Sequence, residues 1–425
     1  MAEIPIDRYA LDNGLRVVLS RDPRAPLVAV NLWYDVGSRH EKAGKTGFAH
    51  LFEHMMFQGS ANVEKGQHFS LVQAAGGTLN ASTWLDRTNY FETLPGHELE
   101  LALWLESDRM ASLLPAMTQE KLDNQRDVVK NERRWSVDNQ PYGDWDERMQ
   151  ALVYPEGHPY HHSTIGSMED LSAASLDDVQ EFFATYYAPN NAVLTIAGDF
   201  EPAAAREMVA RHFGGIPANA TLPAPPDMTV PASLGGEVRV IVPDKVPLPR
   251  VYLAHRIPPF GTDAFDAFDV AADVLGTGRA SRLYAALVRE RQLAQDVSVF
   301  VFPIVGGASM FVVFATARPG VEPETLESAV VAEVGRLATD GPSDADLERV
   351  RNLQASRSAA SLERIGERAD RLSMYTCLFD DPERINVEVS RYAAVDADAV
   401  RAALATSIIN ENRVTLAYVP AEATS

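Results

Sequence analysis

Residues 44–60 read Gly-Lys-Thr-Gly-Phe-Ala-His-Leu-Phe-Glu-His-Met-Met-Phe-Gln-Gly-Ser. Phe48, Leu51, Phe52 and Met55 recur at helical spacing between Gly47 and Gly59. The pattern predicts a helix from roughly Gly44 to Phe57 with one apolar face. On that helix His50 and His54 stand four positions apart and share a side, so both imidazoles can meet one ion. Glu53 lies one residue from His54 and three from His50, close enough to act on a water at that ion. Neutral imidazoles with an open coordination position suit zinc, which acidifies water and polarises a carbonyl. The carboxylate can take the water's proton and pass it to a leaving amine. With 10 histidines in the chain, chance supplies ~0.02 such H-x-x-E-H matches. Two histidines and an acid on a buried helix would also be costly without a shared ligand.

Two histidines need a third ligand. A strongly helical, charge-rich segment follows, containing NQRDVVKNERRWSVDNQPYG (124–143). It offers Glu120, Asp123, Asp127 and Glu132. Such helices usually expose their carboxylates to water, so spacing alone leaves all four open.

Outward from this core, the chain reads as two similar halves. Residues 214–236, GGIPANATLPAPPDMTVPASLGG, lack periodicity and read as a Pro-rich linker. They divide a domain over 1–213, carrying the metal motif, from a related domain over 237–425 that would close a chamber. The first half opens with the turn Asp12-Asn13-Gly14 and the strand-like runs LRVVLSRD and LVAVNLWYDVGS; the second opens with GEVRVIVPD and RVYLAHRIPP. Each continues with a helical stretch (263–275 in the second half), then strand-like residues, NYFETLP or DVSVFVFPIVGGASMFVVFATA. Long helical patterns follow at 97–114 and 117–137, and at 323–339 and 343–363. This faint repeat in element order predicts an α+β fold of two related domains, each a mostly antiparallel sheet packed with helices.

Composition narrows the function. The 425 residues carry 38 Lys+Arg against 59 Asp+Glu, a net charge of −21, which argues against nucleic-acid partners and anionic membranes. At 46% hydrophobic residues the chain can build sizeable cores. No run approaches the ~20 apolar residues of a membrane span, and the N-terminus shows no apolar signal segment, so the expected location is cytoplasmic. The lone Cys377 excludes a disulfide framework and reads as a buried small hydrophobe. His158-Pro159-Tyr160-His161-His162 cannot share a helical face and reads as a structural loop. Gly276-Thr277-Gly278 lacks the remainder of a phosphate loop.

At this point the residues carry a resemblance. LDNGLRVVL, VGSRHEKAGKTGFAHLFEHMMFQGS, GGTLNASTWLDRTNYFETLP, RDVVKNERR, YPEGHPYHHSTIGSMEDL and YYAPNNAVLTIAGDF together resemble the pitrilysin/insulinase-like zinc metallopeptidases. The short-chain branch, which includes mitochondrial-processing-peptidase-like proteins, is the nearer one. The second half matches more loosely, through GTGRASRLYAAL. The resemblance implies a Zn2+ cofactor and assigns Glu53 as general base. Its V-V-x-x-E context selects Glu132, at Val128-Val129-Lys130-Asn131-Glu132, as the third ligand beside His50 and His54. It implies that GGTLNASTW forms an edge strand on which peptide substrate adds as a further strand, with Asn80, Ala81, Ser82 and Thr83 in contact.

Two departures stand out. Many family members carry a Glu seven residues before the third ligand, where this chain has Gln125. In the second half, members carry an Arg and a Tyr that stabilise the oxyanion, in a stretch resembling L-R-E-E-x-G-L-A-Y. Here residues 287–295 read LVRERQLAQ, placing Val288 and Gln295 at those positions; a one-residue shift would bring in Arg289 but no tyrosine. The resemblance therefore implies a zinc metalloendopeptidase catalytic subunit completed by a homologous, non-catalytic partner chain that supplies the Arg/Tyr pair. A homodimer tolerating the change and a non-hydrolytic peptide-binding or assembly subunit are the competing expectations.

Overall fold

The structure is a computed structural model and describes residues 3–421. Two compact units emerge, each built on one sheet. The first sheet contains β1 (Asp7–Ala10), β2 (Arg16–Arg21), β3 (Leu27–Tyr34), β4 (Thr78–Thr83), β5 (Thr88–Pro95) and β6 (Ala192–Gly198). Their order is β1-β2-β6-β3-β5-β4, antiparallel apart from β2 beside β6. The second sheet contains β7 (Val238–Asp244), β8 (Arg250–Ile257), β9 (Ala294–Phe302), β10 (Ser309–Ala317) and β11 (Val414–Pro420). Its order is β7-β11-β8-β10-β9, again with one parallel pair, β7 and β11. Strand for strand, β2-β6-β3-β5-β4 and β7-β11-β8-β10-β9 are the same plan, so the repeat in element order is a repeat in topology. The expected α+β class of two related sheet-and-helix domains holds.

Alternation along the strands sorts the first sheet into two faces. One face carries Val28, Val30, Leu32 and Tyr34 of β3 with Tyr90 and Leu94 of β5, all buried in the main core of this unit. Helices α1 (Phe48–Met55), α2 (Gln67–Ala74), α3 (Leu99–Ser112) and α4 (Gln119–Arg133) belong to this unit. Of these, α1 packs on β4, β5 and α4, and α3 on β3 and β5. The other face, with Ala29 and Trp33, is covered by the helix Ile365–Phe379 through Ala369, Leu372 and Tyr375.

That second covering changes the domain boundaries. The sequence reading divided the chain serially, at 1–213 and 237–425. The compact units are instead interleaved: 134–161 fold with the second sheet, and 357–387 with the first. The physical reason is that a sheet with two apolar faces needs a layer on each. The segment 214–236 contains neither helix nor strand, as expected of a linker. Among the described residues no helix is long and apolar enough to cross a membrane. Cys377 is buried and free.

Candidate metal centre

The metal-motif helix starts later than its apolar pattern suggested. Gly44 (φ 79°) and Gly47 (φ 86°) hold left-handed backbone, so helical geometry begins at Phe48. The buried carboxylate of Glu41 then caps this end, accepting from the backbone N–H groups of Gly47 (2.9 Å) and Ala49 (2.8 Å). His162 Nε2 holds the same carboxylate at 2.8 Å. Asp170 Oδ2 fixes the preceding turn by accepting from the N–H of Thr46 (2.9 Å) and its hydroxyl (2.6 Å). Glu41 and His162 escaped the residue reading because their roles depend on a contact across 121 positions.

His50 and His54 lie one turn apart on α1, their ring centroids 4.8 Å apart and nearly perpendicular. Across from them α4 presents Glu132: Oε2 is 3.3 Å from His54 Nε2, and Oε1 is 3.8 Å from His50 Nε2. One ligand atom from each residue lies within 4.8 Å of the other two. Asp123, Asp127 and Glu120 point to solvent from the same helix and take no part. Electrostatics prepares the trio for a cation. Burial, helped by the neighbouring His54, pushes His50 down to about 4, so its imidazole is neutral at physiological pH. The hydrogen bond from His54, against burial, holds Glu132 below the usual carboxylate range. Two imidazole nitrogens and one ionised carboxylate are the donor set a zinc ion accepts, with room for a further ligand.

Glu53 sits beside this trio. Burial raises its carboxyl, while the hydroxyl of Thr83 opposes the shift by donating to Oε2 at 2.6 Å. Oε1 is left for chemistry. The four residues expected to touch substrate thus divide between the two sheet faces. Thr83 and Ala81 point to the α1 face, and Thr83 is committed to Glu53 rather than only to a ligand. Asn80 and Ser82 point to the opposite face, opposite Phe91 and Asn89 in the register. The Asn80 side chain accepts from the Ala81 N–H at 2.9 Å, and Ser82 donates to Asn89 Oδ1 at 2.7 Å. β4 ends the sheet order, so its outer edge is open to a further strand among the described residues.

Gln125 is buried on α4 and donates to Asn124 Oδ1 at 2.9 Å. The three histidines of the 158–162 loop go separate ways: His158 to the carbonyl of Met228, His161 to that of Tyr154, His162 to Glu41. In the second unit Val288 is buried and Gln295 lies exposed at the start of β9. Gln292 holds φ 54°, the left-handed backbone that a glycine serves best, and it stands where the family stretch has its glycine.

Comparison with known proteins agrees with this geometry. A family model described as Insulinase (Peptidase family M16) matches residues 16–153, and one described as Peptidase M16 inactive domain matches residues 173–354. The chain is similar to the zinc protease PqqE of Helicobacter pylori, 33% identical over 371 residues that span 84% of this chain and 80% of that protein. A solved protease structure from Helicobacter pylori superposes with TM-score 0.92 at 28% identity, covering 98% of this chain and all of that one (100%). A probable mitochondrial-processing peptidase subunit beta of Arabidopsis thaliana is 26% identical over 357 residues, 80% of this chain and 65% of that protein.

Proposed function

The chain belongs to the insulinase family of peptidases, M16, and on that premise we propose that it is a zinc metallopeptidase subunit that hydrolyses peptides held as an added strand on β4. The observation that carries the reading is the convergence of His50, His54 and Glu132 beside a Glu53 carboxylate held at one oxygen. Zinc on the three ligands would supply a Lewis acid for the scissile carbonyl and lower the pKa of an attacking water. Glu53 Oε1 accepts the proton of that water and returns it to the leaving amine. Thr83 keeps the carboxylate aimed by occupying Oε2. The open edge of β4 binds substrate main chain through hydrogen bonds that any sequence can make.

Val288 offers no donor and Gln295 no phenol, so a homologous partner chain supplies the oxyanion-stabilising pair in this reading. A second reading has one observation in its favour. The match of 173–354 to a domain described as inactive, together with Val288 and Gln295, suits a subunit that binds peptide without cutting it. A quenched peptide incubated with the zinc-loaded chain, alone and with a candidate partner, separates the two, with Glu53→Gln as blank. Cleavage lost in the variant supports the peptidase; silence in both arms supports the binding subunit.

A further inference from the structure

A cavity of about 730 Å³ opens on the face of the first sheet that points away from the metal trio. Its roof is the β4–β5 edge, through Asn80, Ser82 and Phe91, and its far wall is the start of the helix Ile365–Phe379. The helix covers β3 and β6 and stops short of β4, which leaves the space unfilled. At its floor stands Asp370. One oxygen, Oδ1, accepts from Trp33 Nε1 (2.8 Å), Asn89 Nδ2 (2.9 Å) and Asn31 Nδ2 (3.2 Å). Three neutral donors thus lock this carboxylate in place; it makes no ion pair within 4 Å among the described residues, and its charge acts at longer range on the buried Arg87 guanidinium. The nearby Arg87 is already engaged: its Nη1 donates to the carbonyl of Ser82 (2.7 Å), the Ser82 hydroxyl and Asn89 Oδ1 (3.1 Å), and it lies over the Trp33 ring. Glu363 and Glu367 add two more carboxylates at the rim, against Arg364, which pairs with Glu367 at 3.5 Å.

An added strand alternates its side chains between the two faces of the sheet. If one residue of a peptide on β4 points toward Glu53, the next points into this cavity. We propose that the cavity is a recognition subsite for a lysine or arginine side chain of the bound peptide, read by Asp370. The inference rests on the peptide-strand reading above and adds the substrate chemistry. Phe91 and Ile365 offer apolar wall to the long alkyl stem, and the fixed carboxylate meets the cation beyond it. The chain's charge of −21 favours the approach of basic peptides.

The test uses the whole zinc-loaded chain carrying Glu53→Gln, so that binding is measured without turnover. A fluorescent neutral peptide receives a single lysine, norleucine or glutamate, walked through its positions, and affinity is read by anisotropy. Lysine should bind about 10-fold tighter than norleucine at the one position whose side chain enters the cavity and show no advantage at its two neighbours. Asp370→Asn keeps the Oδ1 acceptor and should bring the ratio to about one, leaving norleucine peptides unchanged. If that variant unfolds, the double variant Glu363→Gln/Glu367→Gln should cut the ratio two- to threefold. Absence of peptide binding, absence of a lysine advantage, or an advantage indifferent to these variants overturns the subsite. Cleavage of the norleucine peptide by the unsubstituted chain is scored separately, so the subsite and the peptidase reading can fail independently.

Discussion

Replacing Thr83 by valine keeps the size of the side chain and removes one donor, the hydroxyl that holds Glu53 Oε2 at 2.6 Å. A hydrogen bond to an ionised carboxylate contributes about 1.5–3 kcal/mol. If Glu53 is productive only in that orientation, the loss appears in the chemical step, and each ~1.4 kcal/mol is tenfold in rate. Thr83→Val should therefore lower kcat about 10- to 100-fold. KM should move less than about threefold, because strand addition uses the main chain of β4 rather than this hydroxyl. Thr83→Ser restores the donor and should stay within about threefold of the unsubstituted enzyme. The assay is steady-state cleavage of a quenched peptide, with the candidate partner present and zinc content matched across variants by metal analysis. A valine variant as fast as the parent, or a serine variant as slow as valine, would refute the orienting role. A rise in KM with kcat unchanged would instead return Thr83 to plain substrate contact.

Other outcomes follow from the same geometry. His54→Ala removes one of three ligands and should leave the protein near zero zinc by metal analysis, with a melting temperature no longer raised by added zinc. Glu41→Ala withdraws the acceptor for Gly47, Ala49 and His162 at the start of α1; it should cost about 2 kcal/mol in chemical denaturation and speed zinc loss to a chelator. On the metal side of the sheet, Glu92 is fully buried, and burial pushes its carboxyl from 4.5 up to about 7 against the pull of Arg109 and the neighbouring Glu106 side chain. The folded state then keeps a proton that the unfolded chain has released, so stability falls as pH rises from about 4.5 to 7. Glu92→Gln should flatten that decline, with a gain on the order of 2–3 kcal/mol at pH 8 over the parent, read from denaturation midpoints across pH.

What was legible in the sequence was local. His50, Glu53 and His54 declare themselves because four-residue spacing on a helix sets their geometry without reference to the rest of the chain. Glu132 was legible only through resemblance: four acids sat on one charged helix, and only the packing of α4 on α1 selects the one facing both imidazoles. The late start of α1 was hidden because apolar periodicity extends past two glycines whose left-handed backbone breaks the helix. Asn80, Ala81, Ser82 and Thr83 were expected together as contacts, but a strand sends alternate side chains to opposite faces, and which pair meets Glu53 depends on the side of the sheet where α1 lands. The serial domain division failed for a related reason. An apolar stripe such as Ala369, Leu372 and Tyr375 says that a helix covers something, not which sheet.

The repeated topology sharpens the question of how the chemistry is completed. After β3 comes α1 with two histidines and Glu53; after β8, at the same place in the plan, comes Asp263–Gly276, whose buried polar groups are Asp266 and Asp273. The first unit thus holds the His50, His54 and Glu132 trio, and the matching helix of the second unit carries two buried aspartates instead. In the family stretch an arginine and a tyrosine stabilise the oxyanion, and here a buried valine and an exposed glutamine occupy the two positions. Gln292, between them in the chain, holds left-handed backbone at φ 54°. The proposed source of such donors is a homologous partner chain. Losing one such donor costs about 10²–10³ in rate. If the partner provides them, adding it should raise kcat by at least that factor with zinc content unchanged; a chain that reaches full rate alone would mean that some other group of its own stabilises the oxyanion.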